Sequence, residues 1–151
     1  MSSLIPYLSV NGAAAAIDFY QRAFGAQELS RHKTPDGAKI MHAALSFPGG
    51  GTLMLSDDFP EHNNGKRSSP EGFGGSPVTL HLTLPHADPV WDAAVAAGAT
   101  VTMPLADQFW GDRYGRLRDP FGHEWSLSSP KNQPSEAEVL EGAKQHFPPQ
   151  T

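Results

Sequence analysis

Three side chains able to grip an anion stand at alternate positions of one short stretch: Tyr114, Arg116 and Arg118 share a strand face, with Leu117 on the other. A guanidinium offers a carboxylate or phosphonate two parallel hydrogen bonds, and burying one without a counter-charge is costly. Arg116 and Arg118 are therefore read as the grip for a small organic ligand carrying an oxyanion. The competing account is that Glu124 or Asp119 neutralises both arginines internally. Tyr7, His81 and Glu124, on the polar faces of other strands, and Trp110 and Arg113, just upstream, complete the set of candidate ligand contacts. Trp110 suits packing as well as a ligand platform, and Arg113 could instead pair with Asp112 or Asp119. His42 and His123 have no partner at informative spacing.

Other chemistries are weaker or excluded. Asp57, Asp58, Glu61 and His62 have the composition of a hard-metal cluster but no fixed spacing, and read better as solvated charge. The run Pro48-Gly49-Gly50-Gly51 lacks the Lys-Ser/Thr and helix start of a phosphate loop, so a hairpin turn is expected. Having no cysteine rules out a disulfide framework, a thiolate zinc site and a cysteine nucleophile together. Sixteen acidic against eleven basic residues, a net charge of -5, argue against a nucleic-acid partner. No apolar run approaches transmembrane length, and the first residues lack a signal-peptide pattern. No membrane partner is expected, and the cytoplasm is the expected compartment.

The positioning of these residues falls to a turn-rich chain, with 15 Gly and 14 Pro among 151 residues. A strand over 5–10 puts Leu8 and Val10 on one face and Ile5, Tyr7 and Ser9 on the other. Asn11 offers an N-cap to a helix over 13–24, which Gly25 stops. Strands follow at 27–32, 39–47 and 52–56. The polar stretch 57–77, rich in Gly, Pro and Ser, is a linker, either mobile or a lid. The pattern then restarts. A strand over 78–84 alternates Val78, Leu80, Leu82 and Leu84 with Thr79, His81 and Thr83. Asp88-Pro89 then caps and opens a helix that runs to Ala97 and stops at Gly98. A strand at 101–105 precedes a hairpin turning at Asp119-Pro120-Phe121-Gly122, after which Trp125 and Leu127 face the core. Strand, helix, three strands thus occurs twice, and an internal duplication is the simplest account. Beyond it, Ser135 and Glu138 form a capping box, and Val139, Leu140, Ala143 and Phe147 an apolar stripe on a short helix.

Several of these pieces resemble the vicinal oxygen chelate superfamily, which includes glyoxalase I, bleomycin-resistance proteins and extradiol dioxygenases. They are Ile17-Asp18-Phe19-Tyr20 ahead of Phe24-Gly25-Ala26, Ala97-Gly98-Ala99 and Asp119-Pro120-Phe121-Gly122-His123. The stretch from Gln108 to Gly115 is similar to a signature of the PhnB-like branch. The resemblance covers residues 4 to 129 and implies an α+β fold of two βαβββ modules whose curved sheets enclose a cavity. A single domain, 1–130, is expected, with module one at 4–57, the linker at 58–77 and module two at 78–129, followed by a tail at 131–151. In metal-dependent members, the resemblance places the ligands at Ile5, Met54, Thr79 and Ser126. None of these is an imidazole or carboxylate, so no metal and no cofactor is expected. His81 and Glu124 are not expected to substitute, because their offsets from those positions diverge by four strand residues, about 13 Å. The resemblance also implies a homodimer, and the tail's stripe calls for a surface. The expected function is metal-free binding of a small organic molecule, for sequestration or for a reaction the sequence does not name. The alternatives are a metal-dependent lyase or isomerase with a rearranged site, and a scaffold whose cavity is filled by its own side chains.

Overall fold

The computed structural model describes residues 2–150. The first repeat runs β1 (Tyr7–Val10), α1 (Ala13–Phe24), β2 (Gln27–Lys33), β3 (Ile40–Ser46) and β4 (Thr52–Asp57). After a 3-10 turn at Pro60–His62 and the one-turn helix α2 (Pro70–Phe73), the order recurs. The second repeat is β5 (Thr79–Thr83), α3 (Ala87–Ala96), β6 (Thr100–Asp107), β7 (Asp112–Arg118) and β8 (Glu124–Pro130), and α4 (Glu136–His146) closes the chain. Each repeat forms its own four-stranded sheet with the same topology, β1-β4-β3-β2 and β5-β8-β7-β6. In each, the first strand lies parallel to the fourth and the other pairs are antiparallel. The α+β fold with two βαβββ modules is the one expected. The enclosed cavity is not: the two four-stranded sheets do not close on each other.

Period-two alternation divides the faces. Leu8, Val10, Leu45, Leu53, Leu55, Leu117, Trp125 and Leu127 are buried in one core shared by both repeats. Helix α1 adds Ile17, Phe19, Tyr20 and Phe24 to that core, and α3 adds Trp91 and Ala94. The aromatic contacts run between repeats: the Phe24 and Trp125 ring centroids are 4.5 Å apart and those of Tyr20 and Trp125 5.3 Å. His123, for which spacing indicated no partner, sits 3.0 Å from the backbone oxygen of Ser9, a second link between repeats. A carbonyl only accepts, so Nε2 carries the proton there.

Several local expectations are corrected. Asn11 does not cap α1. The N-cap is Gly12 at φ 103°, and Asp57 at the end of β4 caps from a distance, accepting from the N–H groups of Gly12 (3.1 Å) and Ala13 (2.8 Å). A capping carboxylate need not be local in sequence, which is why spacing alone missed it. Helix α3 starts at Ala87, placing Asp88 and Pro89 inside the first turn rather than at the cap. Of the charged run in the 57–77 stretch, no metal cluster forms among the described residues, and Asp58 is not the solvated charge expected, whereas Glu61 and His62 are exposed. Asp58 is 4% exposed and accepts from Ser68 N (2.8 Å), Ser69 N (3.1 Å) and Ser69 Oγ (2.6 Å), while Glu61 pairs with Lys39. The apolar stripe of α4 is split: Val139 and Ala143 are half-buried, whereas Leu140 and Phe147 are 58% and 77% exposed, and it is Gly142 and His146, outside the stripe, that meet the Phe109 ring.

Candidate functional site on the polar face of the second sheet

The site is set by the turn between β7 and β8. Asp119 is buried and accepts four hydrogen bonds, from the backbone N–H groups of Phe121 and His123, the Trp125 indole (2.9 Å) and the Tyr20 hydroxyl (2.6 Å). Burial, reinforced by the neighbouring Asp119 charge, pushes the Tyr20 phenol well above its ordinary range. With the turn fixed, the register of β5, β8 and β7 follows, and side chains fall into rows across the open face. One row is Thr79, Glu124 and Arg118, the next His81, Ser126 and Arg116, and a third Thr83, Ser128 and Tyr114.

The register corrects the separation expected for His81 and Glu124. Glu124 lies opposite Thr79 and Ser126 opposite His81, so the two are offset by two residues, about 7 Å along the strands, rather than four. They are still not a pair. Glu124 accepts from Arg118 Nε at 2.7 Å, and both ring nitrogens of His81 lie against serine hydroxyls, Ser126 at 2.7 Å and Ser128 at 3.1 Å.

The two arginines are unlike. Arg118 is balanced by Glu124, as the competing account held. Arg116 crosses β8 to donate from Nη2 to Thr79 Oγ1 at 2.8 Å, and no salt bridge among the described residues involves it. Its Nε is buried without any partner. A cleft of about 610 Å³ lies over this part of the sheet, lined by Thr79, Thr102, Met103, Arg116, Arg118 and Glu124 and bordered by Ser76 and Pro77 of the connecting segment.

An aromatic series stands beside Arg116. His81 and Tyr114 lie near-parallel with centroids 6.1 Å apart, and Trp110 meets Tyr114 edge-on at 5.4 Å. Trp110 in turn contacts Phe109, which seats α4. Two other candidates are elsewhere. Tyr7 is on the first sheet, its hydroxyl 2.9 Å from His42 Nδ1. Arg113 points to the helix side of β7, where it makes two hydrogen bonds to Asp88 and a third to Asp107. Those bonds hold its pKa above the usual guanidinium range. Sequence reasoning met Thr79 and Ser126 only as metal-ligand positions implied by the resemblance, and did not name Ser126 and Ser128 as the buried floor between His81 and Arg116 or Thr79 as the partner of Arg116. Their alternation with Trp125 and Leu127 was the available signal for the serines. Thr79 carried no chemical mark of its own.

The residues do not fit a resident metal. Ile5, Met54, Thr79 and Ser126 supply neither imidazole nor carboxylate, and no group of three or more His, Asp or Glu side chains among the described residues could hold an ion.

Two sheets of equal topology, each led by a strand and helix, are the arrangement to which residues 5–127 also match by sequence, the Glyoxalase/Bleomycin resistance protein/Dioxygenase superfamily. The chain belongs to that superfamily. It is 53% identical over 128 residues to the uncharacterised protein Rv0887c of Mycobacterium tuberculosis, covering 85% of this chain and 74% of that one. Protein YjdN of Escherichia coli is 28% identical, with 88% and 99% covered. Among solved structures, protein PA1353 from Pseudomonas aeruginosa matches at TM-score 0.66 and 26% identity, covering 87% of this chain and all of that one. A PhnB protein from Bacillus cereus shares the glyoxalase-superfamily fold at TM-score 0.64 and 20% identity, with 85% and 99% covered.

Proposed function

We propose that the protein binds a small organic anion, without a metal, in the cleft on the β5-β8-β7 face, with Arg116 as the principal grip. The observation that carries this reading is the state of Arg116: a half-buried guanidinium that bonds one threonine, leaves Nε buried and unpartnered, and makes no salt bridge among the described residues, Glu124 of the same cleft being paired with Arg118. A cation so placed is under-satisfied until an oxyanion arrives, since an unmet buried polar group costs about 1–3 kcal/mol. Arg118 is assigned a lesser role, because Glu124 already balances it. Binding in this form serves sequestration as well as turnover. The test is a thermal-shift screen of carboxylates, phosphonates and inorganic phosphate. Stabilisation by at least one carboxylate or phosphonate is expected in the wild type, nearly unchanged in Arg118→Ala and lost in Arg116→Ala. Stabilisation that persists undiminished in Arg116→Ala overturns the reading.

A further inference from the structure

We infer that the molecule has a second binding site, along the free edge of β5 at the seam between the repeats, for a flat neutral ring carrying an N–H beside a C=O, such as a lactam. A pocket of about 430 Å³ lies there, lined by residues 78–82 of β5, by Gly50 and Gly51 of the β3-β4 turn, and by Phe47, Leu53 and Trp125 of the core. Its lining shares only Thr79 with that of the Arg116 cleft, and it is independent of the anion reading. Consecutive strand residues point to opposite faces, so a pocket that touches five in a row runs along the edge of the strand.

The backbone shows which groups that edge presents. β5 has one neighbour, β8, and the Leu84 N–H donates to Ser128 O. Leu80 and Leu82, of the same parity, turn their backbone groups to β8, so Thr79 and His81 turn theirs to the free edge. Among the described residues, nothing bonds the backbone N–H or C=O of His81.

β1, the counterpart of β5, has the same kind of edge, and there it is closed. The Pro6 and Val10 carbonyls accept from Met54 and Asp58, which leaves Ser9 facing outward by the same parity. A flat ring meets it: His123 Nε2 donates to Ser9 O at 3.0 Å. His123 ends a turn closed by two bonds, Asp119 N to His123 O and Gly122 N to Asp119 O. The β3-β4 turn closes with the same pair, Phe47 N to Gly51 O and Gly50 N to Phe47 O, so Gly51 stands where the other repeat has His123. A Cβ added to Gly51 would meet nothing within 4 Å. One edge is thus closed by a ring from within the chain, and the other has a pocket beside it.

The lining sets the chemical class. No carboxylate, ammonium or guanidinium borders the pocket, so a charged guest would lose its hydration without gaining a counter-charge. The core side chains favour an apolar ring. His81 turns its N–H and C=O to the same side, and a ligand with donor and acceptor side by side meets both, as residues of an antiparallel pair do.

The probe is 2-pyridone, with N-methyl-2-pyridone as its control, titrated into the isotope-labelled full chain and followed by amide NMR. 2-Pyridone should bind at millimolar concentration or below and move the His81 amide resonance downfield. The N-methyl compound should bind roughly three- to tenfold more weakly, the loss of one hydrogen bond. Val78 lines the pocket and is 61% exposed, so Val78→Trp should block binding while the fold is kept. Arg116→Ala should leave binding unchanged. Equal affinity for the two pyridones, an unmoved His81 amide, undiminished binding in Val78→Trp or no binding at millimolar concentration each overturns the second site. Loss of 2-pyridone binding in Arg116→Ala also overturns it, by placing the probe in the Arg116 cleft, and leaves the anion reading standing.

Discussion

Tyr20 and Asp119 come from different repeats, and the phenol donates to the carboxylate with both groups out of water. A hydrogen bond to a charged acceptor contributes about 1.5–3 kcal/mol, and removing one partner exposes the other to the cost of desolvation. Tyr20→Phe should therefore destabilise the fold by about 1.5–3 kcal/mol in urea denaturation while leaving ligand affinity nearly unchanged, since Asp119 keeps its bonds to Trp125 and the turn. Asp58 gives a second test at this scale. Burial alone would raise its pKa, but the bonds from Ser68 and Ser69, with help from Arg67, outweigh burial and hold it below the usual value. A carboxylate lowered in the folded state stabilises above its unfolded pKa, about 3.9, and loses that contribution as pH falls through the folded value. Melting temperature should drop on acidification below about pH 4, and Asp58→Asn should lower it at neutral pH while flattening its acid dependence. A parallel shift of both curves would assign the acid sensitivity to other groups.

At the scale of elements, β7 carries the site on one face and the packing on the other, so a fault on the hidden face should be felt at the ligand. Gly115 sits between Tyr114 and Arg116, and a Cβ there would lie 2.5 Å from the Trp91 ring and 2.8 Å from the Leu105 backbone. Gly115→Ala should cost about 1–3 kcal/mol from overpacking and weaken anion binding as well, because β7 can relieve the clash only by moving both flanking residues. Denaturation and titration of the same variant check the two effects. The strands and α1 were legible because alternation and helical spacing are local. Gly25 stops α1 at φ 70°, as its position after Phe24 required. What was not legible came from elsewhere in the chain: Asp57 capping α1 from β4, Asp88 reaching Arg113, and Thr79 meeting Arg116 across an intervening strand. Such pairings depend on register and strand order, and spacing along the sequence does not record them.

For the molecule as a whole, the open polar faces bear on assembly. Neither sheet covers the other, β1, β2, β5 and β6 are edge strands, and α4 leaves Leu140 and Phe147 exposed. We propose that the protein is a homodimer in which a second copy covers part of this surface. Light scattering should return twice the chain mass at micromolar concentration, and a single-chain mass would count against it. The repeated order of elements was readable in the sequence, whereas the depth of the union between repeats was not, because it lies in side chains that cross from one to the other. That union has a consequence for a severed chain. If the backbone were cut within the exposed residues 61–68, the amino-terminal fragment would hold Tyr20 and Phe24 with no Asp119 or Trp125 to receive them. The other fragment would hold a charged carboxylate in an apolar wall without its phenol. Each repeat would stay unfolded by itself, and only the two mixed together would restore a folded protein.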